Sequence, residues 1–295
     1  DITDKTHLSA QYYRVSDSQY FKEIEQSNTS EKTLNSFLEL SYEDEAEDFS
    51  ASILTENEQI INTGTPTYTR AIEGSVSKTL NPKKMPIQID LVSTKFAHKT
   101  ANKEAGTRTH GDISISRNLN IKYPQITPRA SVAITNYSLK NSSNINRTVF
   151  GTGLDIDFTT IKQSSIYGYK VNHKISPLIT YNYRAKKVQG NIPIFDSTDK
   201  YDDIISFADL TSGERYTGLD RITNANDITL SLESSYRNIN ALKDEEGLLS
   251  LKIAQSFYAD DEVVSDATNT NYETRRSYSD IAASIDISIN KFSLS

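Results

Sequence analysis

The chain of 295 residues contains no cysteine, so neither a disulfide framework nor a thiolate metal site can be built from it. It also lacks any run of 18 consecutive apolar residues, which excludes spanning helices. Only 36% of the residues are hydrophobic, and the mean hydropathy is -0.55. That polar average leaves a membrane open, because a barrel strand shows lipid only every second side chain. A basic excess is missing too. The 39 acidic and 32 basic residues are interspersed, the net charge is -7, and no cationic stripe of the kind nucleic-acid binders need is present. DNA and RNA are therefore not expected partners. The opening DITDKTHLSA has no basic n-region and no apolar h-region, so a signal peptide is expected to have been removed or to lie upstream.

What the chain has in abundance is alternation of period two. Leu154, Ile156 and Phe158 make one face of a strand apolar, while Asp155, Asp157 and Thr159 make the other polar. The same holds for Ile228, Leu230 and Leu232 against Thr229, Ser231 and Glu233, and for Leu249, Leu251 and Ile253 against Ser250, Lys252 and Ala254. The longest run sets Ile281, Ala283, Ile285, Ile287 and Ile289 against Asp280, Ala282, Ser284, Asp286 and Ser288. Strands are expected at 8–14, 34–42, 48–58, 67–79, 87–98, 108–120, 127–139, 147–160, 169–184, 227–239, 247–258 and 276–289, with a thirteenth beginning at Phe292. Many reach ten residues or more. An ordinary soluble strand has about 5–6 and a tilted membrane strand about 9–11.

The connections are asymmetric. EDEAE (43–47), NPKKMP (81–86) and Asn290-Lys291 read as compact turns, whereas the links at 15–33, 59–66, 99–107, 140–146, 185–226 and 259–275 are mostly longer and more polar. A membrane barrel has short turns at one rim and long loops at the other. Aromatic residues near strand ends, among them Tyr68, Tyr137, Tyr181, Tyr183, Tyr236 and Phe257, fit an interfacial girdle, although tyrosine is favoured in the strands of any β protein. A short amphipathic helix is expected at 16–26. Pro177 within a strand points to a bulge or an interrupted ladder.

The link at 185–226 is far longer than ordinary connections, so it is expected to carry function or to fold into a cavity. Its acids Asp196, Asp199, Asp202, Asp203 and Asp209 lack the spacing of a calcium loop and read as a solvated surface rather than a metal site. Adjacent Asp220 and Arg221 either pin the loop through charge-assisted hydrogen bonds or form an ordinary surface pair. His7, His98, His110 and His173 are scattered without ligand spacing, and Gly151-Thr152-Gly153 lies within a strand, where it relieves crowding rather than cradling phosphate. No GxSxG elbow gathers a nucleophile and a base. Neither a catalytic residue nor a cofactor is expected. The cation pairs Lys83-Lys84, Lys186-Lys187 and Arg275-Arg276 read as solvated rim charges within reach of lipid phosphates.

Several stretches, in the same order along the chain, resemble the LptD family of lipopolysaccharide-assembly proteins. YYRVSDSQYFKEI (12–24) resembles its Val-Ser-Asp-x-x-Tyr-Phe segment, and SPLITYNYRAKKVQGNIPIFDS (176–197) resembles a strand and the loop that follows, with Gln189, Pro193 and Asp196 in matching places. YTGLDRITNAN (216–226) resembles the family's GLDRI segment through Gly218, Leu219, Asp220, Arg221 and Asn226, and SLKIAQSFYADDE (250–262) resembles a later strand. Asp227 stands where the family often has Gln, and Ala254 where it often has Gly. The resemblance implies transport and assembly of lipopolysaccharide in the Gram-negative outer membrane, an LptE-like lipoprotein plug, and a periplasmic lipopolysaccharide bridge docked on a domain outside this chain. It also implies about twice as many strands as are read here, and disulfides that join other parts of the protein.

The expectation is therefore an all-β protein, an antiparallel transmembrane β-barrel segment of 12–13 strands over residues 1–295, truncated at both ends. The loop 185–226 is expected to be extracellular or lumenal, and Asp155, Asp157, Thr229, Ser231 and Asp286 are expected to face the lumen. Rival readings are a soluble all-β binding or adhesin protein with a sandwich core, and an outer-membrane lipid-acting enzyme.

Overall fold

Alternation of period two dictates strands, and strands are what form. A computed structural model describes residues 3–17, 20, 33–61, 65–119, 121–166, 169–200, 205–238, 247–263, 275–289 and 292–294. The strands are β1 (Thr6–Gln11), β2 (Thr33–Asp44), β3 (Phe49–Ile60), β4 (Thr69–Leu80), β5 (Ile87–Ala97), β6 (Gly106–Ser116), β7 (Gln125–Leu139), β8 (Ile145–Asp157), β9 (Thr160–Ile166), β10 (Tyr169–Arg184), β11 (Ala225–Asn238), β12 (Gly247–Val263), β13 (Arg275–Tyr278), β14 (Ala282–Ile289) and β15 (Phe292–Leu294). One short helix, α1 (Phe207–Ser212), lies between β10 and β11. The helical turn expected at 16–26 falls mostly outside the described residues.

The chain divides into two units. The first holds residues 1–115, 131–148 and 192–196, and the second holds 116–130, 149–191 and 197–295, so that β7 and β8 each contribute to both. In the first unit β1 to β6 pair in sequence order, every neighbour antiparallel. Compact turns join β2 to β3 and β4 to β5. Glu45–Glu47 forms a 3-10 turn that ends in left-handed Asp48, and Pro82–Lys84 forms another in which Lys83 and Lys84 take positive φ. In the second unit the order is β8, β10, β11, β12, β14, β15, again antiparallel.

Two expected strands are broken. The strand read at 147–160 continues past a gap as β9, so that both β8 and β9 pair with β10. The gap lies opposite Pro177, whose carbonyl accepts the Phe158 N–H at 2.9 Å. In an antiparallel strand a residue's N–H and C=O point the same way, so the donor that proline lacks is missing from the ladder at that very level. The strand read at 276–289 splits into β13 and β14 around Ser279. Phe257 pairs with Tyr278 while Ala254 pairs with Ala282, so three steps on β12 face four on its partner, a one-residue bulge. Ser279 closes it. Its N–H donates to Ser256 O at 2.8 Å, and its hydroxyl accepts the Ser256 N–H at 2.9 Å.

Burial on the strands reverses that of a water-soluble sheet. On β11 Asp227 and Thr229 are buried while Ile228 and Leu230 are exposed, and on β12 Ser256 is buried while Ile253 and Phe257 are exposed. The first unit repeats the pattern. Arg108 and His110 are buried against exposed Ile113 on β6, and Thr135 against exposed Ile134 on β7.

Candidate functional site

The buried polar faces are covered by the long connection from β10 to β11, and its local chemistry explains how. Its segment 192–196 belongs to the first unit. There Ile192 and Phe195 pack with Phe96 and Tyr137, and the partly buried Tyr68, Leu139 and Ile145 surround them. Phe195 stacks on Phe96 with centroids 4.6 Å apart and meets Tyr68 edge-on at 5.0 Å. Pro193, half-buried, fixes the backbone between the two anchors. Beside them the Arg108 guanidinium, 2% exposed, donates to both Asp196 oxygens at 2.6 Å and lies 4.8 Å from the centroid of the Phe96 ring. A bidentate pair fixes orientation as well as position.

The rest of the loop belongs to the second unit. The Gln189 side chain imitates a strand partner, donating to Ile222 O at 2.8 Å and accepting the Ile222 N–H at 2.9 Å. Gly218 takes φ 61°, which places the Asp220 and Arg221 N–H groups on the hydroxyl of Ser197 at 2.9 and 3.0 Å. Asp220 is fully buried, Leu219 is half-buried, and the Arg221 guanidinium donates to the Asp220 carbonyl at 3.3 Å. Buried Arg215 pairs with Asp199 through Nε at 2.9 Å, and Thr198 to Lys200 run antiparallel to Arg215 to Thr217. At the end of the loop Asn226 accepts the Tyr181 hydroxyl at 3.2 Å.

Between these contacts sits α1. Its capping box is complete. Asp209 N–H donates to the Ser206 hydroxyl at 3.1 Å, and the Ser206 N–H donates to the Asp209 carboxylate at 3.1 Å. The Ser206 hydroxyl bond, before any other influence, holds the Asp209 carboxyl below the usual aspartate range. Gly213 ends the helix with φ 66°. Leu210 packs with Ala254 and Ala282, two small residues on either side of the β12–β14 ladder next to the bulge.

The strand positions read as lumenal are spread along the polar faces. Asp155 accepts from Arg129 at 3.1 Å and from the Thr180 hydroxyl at 3.0 Å. A Cβ on Gly153 would lie 2.9 Å from that guanidinium, so glycine there makes room for the pair. Asp157 caps the gap below β8 by accepting the Thr159 N–H at 2.7 Å. Thr229 and Ser256 share a hydrogen bond of 2.7 Å, while Ser231 and Asp286 are half-buried opposite Ala254 and Ser250. Sequence reasoning passed over Arg108, Ser197 and Arg215. Each is polar in a polar context, and its partner becomes visible only when the chain folds.

Long antiparallel strands that expose apolar side chains and bury polar ones, with a loop folded onto the polar face, define a protein of the transmembrane β-strand class. Residues 1–293 match the family model described as "LptD: LPS transport system D", and the chain belongs to that family. It is 27% identical over 180 residues to the LPS-assembly protein LptD of Pseudoalteromonas atlantica, a match that covers 59% of this chain and 23% of the relative. It is 31% identical over 144 residues to the LPS-assembly protein LptD of Nitrosospira multiformis, covering 47% and 15%, and 25% identical over 195 residues to that of Neisseria meningitidis serogroup B, covering 64% and 23%. The chain thus spans less than a quarter of the length of these curated relatives.

Proposed function

We propose that this chain is part of an outer-membrane β-barrel that inserts lipopolysaccharide into the outer leaflet, with the loop 185–226 leaving the extracellular rim as far as Val188 and folded into the lumen from Gln189 onward. The observation that carries this reading is the reversal of burial on the strands of a chain that belongs to the LptD family. The spacing of aromatic levels supports it. On β10 and β11 the stacked pair His173 and Tyr236, centroids 4.0 Å apart, marks one level, and Tyr183 on β10 lies ten residues beyond His173. At about 3.3 Å per residue and a tilt of about 45°, that run crosses roughly 23 Å, close to the apolar band of about 25 Å on a membrane barrel. Between the levels the face in register holds Ile175, Pro177, Ile179 and Tyr181 against Ser234, Leu232, Leu230 and Ile228.

On this reading the polar face is the hydrated path for the sugar-rich head, and no bond is made or broken. Asp155, Asp157, Thr229, Ser231 and Asp286 line it, and the loop through Gln189, Pro193, Asp196, Gly218, Leu219, Asp220, Arg221 and Asn226 narrows it. An LptE-like lipoprotein within the barrel and a periplasmic bridge docked outside this chain are its partners. The rival sandwich needs the apolar faces covered, whereas Ile228, Leu230, Ile253 and Phe257 are exposed. The test is depletion of the complete protein in cells while newly made lipopolysaccharide is followed by surface labelling. Surface lipopolysaccharide should fall and an internal pool should rise. Delivery that continues unchanged sinks the transport reading.

A further inference from the structure

The span just beyond β10, Ala185 to Gln189, has a fixed backbone, and three of its side chains, Lys186, Lys187 and Val188, are turned to the surface. Ala185 N–H donates to Phe150 O at 3.1 Å, Lys187 N–H donates to Asn224 Oδ1 at 3.3 Å, and Gln189 is tied twice to Ile222. Yet Lys186 and Lys187 are exposed, neither has an ion-pair partner among the described residues, and Val188 between them and Gln189 is 91% exposed. Arg184, the preceding cation, is already bound by Glu214 and by the Thr223 carbonyl at 3.2 Å, so the two ammonium groups are the available charges of this span. Exposed aromatic rings lie immediately below. They are Tyr181 and Tyr183 on β10, and exposed Phe150 on the neighbouring β8 stands level with Ala185. Lys186 and Lys187 stand three and four residues past Tyr183, which at about 3.3 Å per residue is about 10–13 Å further along the chain. Rings at the apolar boundary followed by cations at that spacing reach the depth of lipid phosphates.

We propose that Lys186, Lys187 and Val188 form a docking site for the phosphorylated headgroup of an outer-leaflet saccharolipid, lipopolysaccharide itself, on the exterior of the barrel rim. This rests on the outer-membrane reading above. The ammonium groups pair with phosphate as point charges, Val188 lies against the adjoining apolar part of the lipid, and the anchored backbone presents all three without a cost in loop ordering. The site would hold a delivered molecule beside the protein after transport, separately from the lumenal path.

The test places a photoreactive p-benzoylphenylalanine at Val188 in the complete protein in cells, where its exposure leaves room for the larger ring, and reads lipopolysaccharide adducts after irradiation. An adduct is expected. Its yield should fall about fivefold for each lysine removed in K186Q and K187Q, persist in K186R/K187R, and leave surface delivery of lipopolysaccharide unchanged. Unchanged yield in K186Q/K187Q, or capture only of protein or of diacyl phospholipid, overturns the proposal. Failure of the transport reading is read separately, by surface labelling, so the two cannot be confused.

Discussion

Arg108 is the residue on which the docking of the loop turns. It comes from near the start of β6, where it and His110 are buried on either side of exposed Thr109, and meets Asp196 from 88 residues away. The two halves of the pair are not equal, because the guanidinium is 2% exposed and the carboxylate 29%. D196A takes the carboxylate from a buried cation and should weaken loop docking by about 3–5 kcal/mol, whereas R108M keeps an apolar chain over Phe96 and leaves a carboxylate that water can reach, so it should cost clearly less. Hydrogen exchange over residues 189–200 measures both, and equal effects of the two changes would contradict this ordering. Phe195→Ala removes the ring at the centre of the aromatic cluster and should cost about 3–5 kcal/mol of the same docking, seen as faster exchange and as proteolysis within 190–200.

At the scale of elements, α1 is too short to persist alone and depends on its capping box and on Leu210. The folded Asp209 carboxyl titrates below its unfolded value, so its contribution is present above the unfolded pKa and disappears as pH falls through the folded one. Protection of Leu210 to Gly213 against exchange should therefore drop in acid, and D209N should show about 1 kcal/mol less protection at neutral pH with little further change on acidification. A D209N helix with the same acid profile as the parent would assign the effect elsewhere. The strands themselves were legible from period two, which survives every insertion in the loops. Their breaks were legible unequally. At the bulge the exposed side chains switch from even Tyr278 to odd Ile281, a change of phase that the sequence carries and that a continuous strand at 276–289 overlooks. The gap at Phe158 and Thr159 shifts no phase, and only Pro177, on the neighbouring strand, betrays it. The interior of the loop was not legible, because Gln189 with Ile222, Ser197 with Asp220 and Arg215 with Asp199 are pairings of ordinary polar residues across gaps that no local pattern spans.

For the molecule as a whole, the side chains that would form the core of a soluble sheet are turned outward, and among the described residues the two buried apolar clusters are each completed by residues of the loop. Leu230→Arg, on the exposed face of β11, should cost about 2–4 kcal/mol in reversible folding into lipid vesicles if it lies near the bilayer midplane. A soluble surface would tolerate the same change within about 0.5 kcal/mol. That reversal fixes more than location. A protein whose apolar faces await lipid has part of its core supplied by another substance, so its folding is a second-component reaction, and its stability has no single value until the bilayer is named. In water the exposed Leu38, Leu40 and Ile53 of the first unit, and the exposed Ile228 and Leu230 of the second, become surfaces for self-association, and the time the chain can spend between synthesis and membrane is limited by how well something else keeps those residues apart.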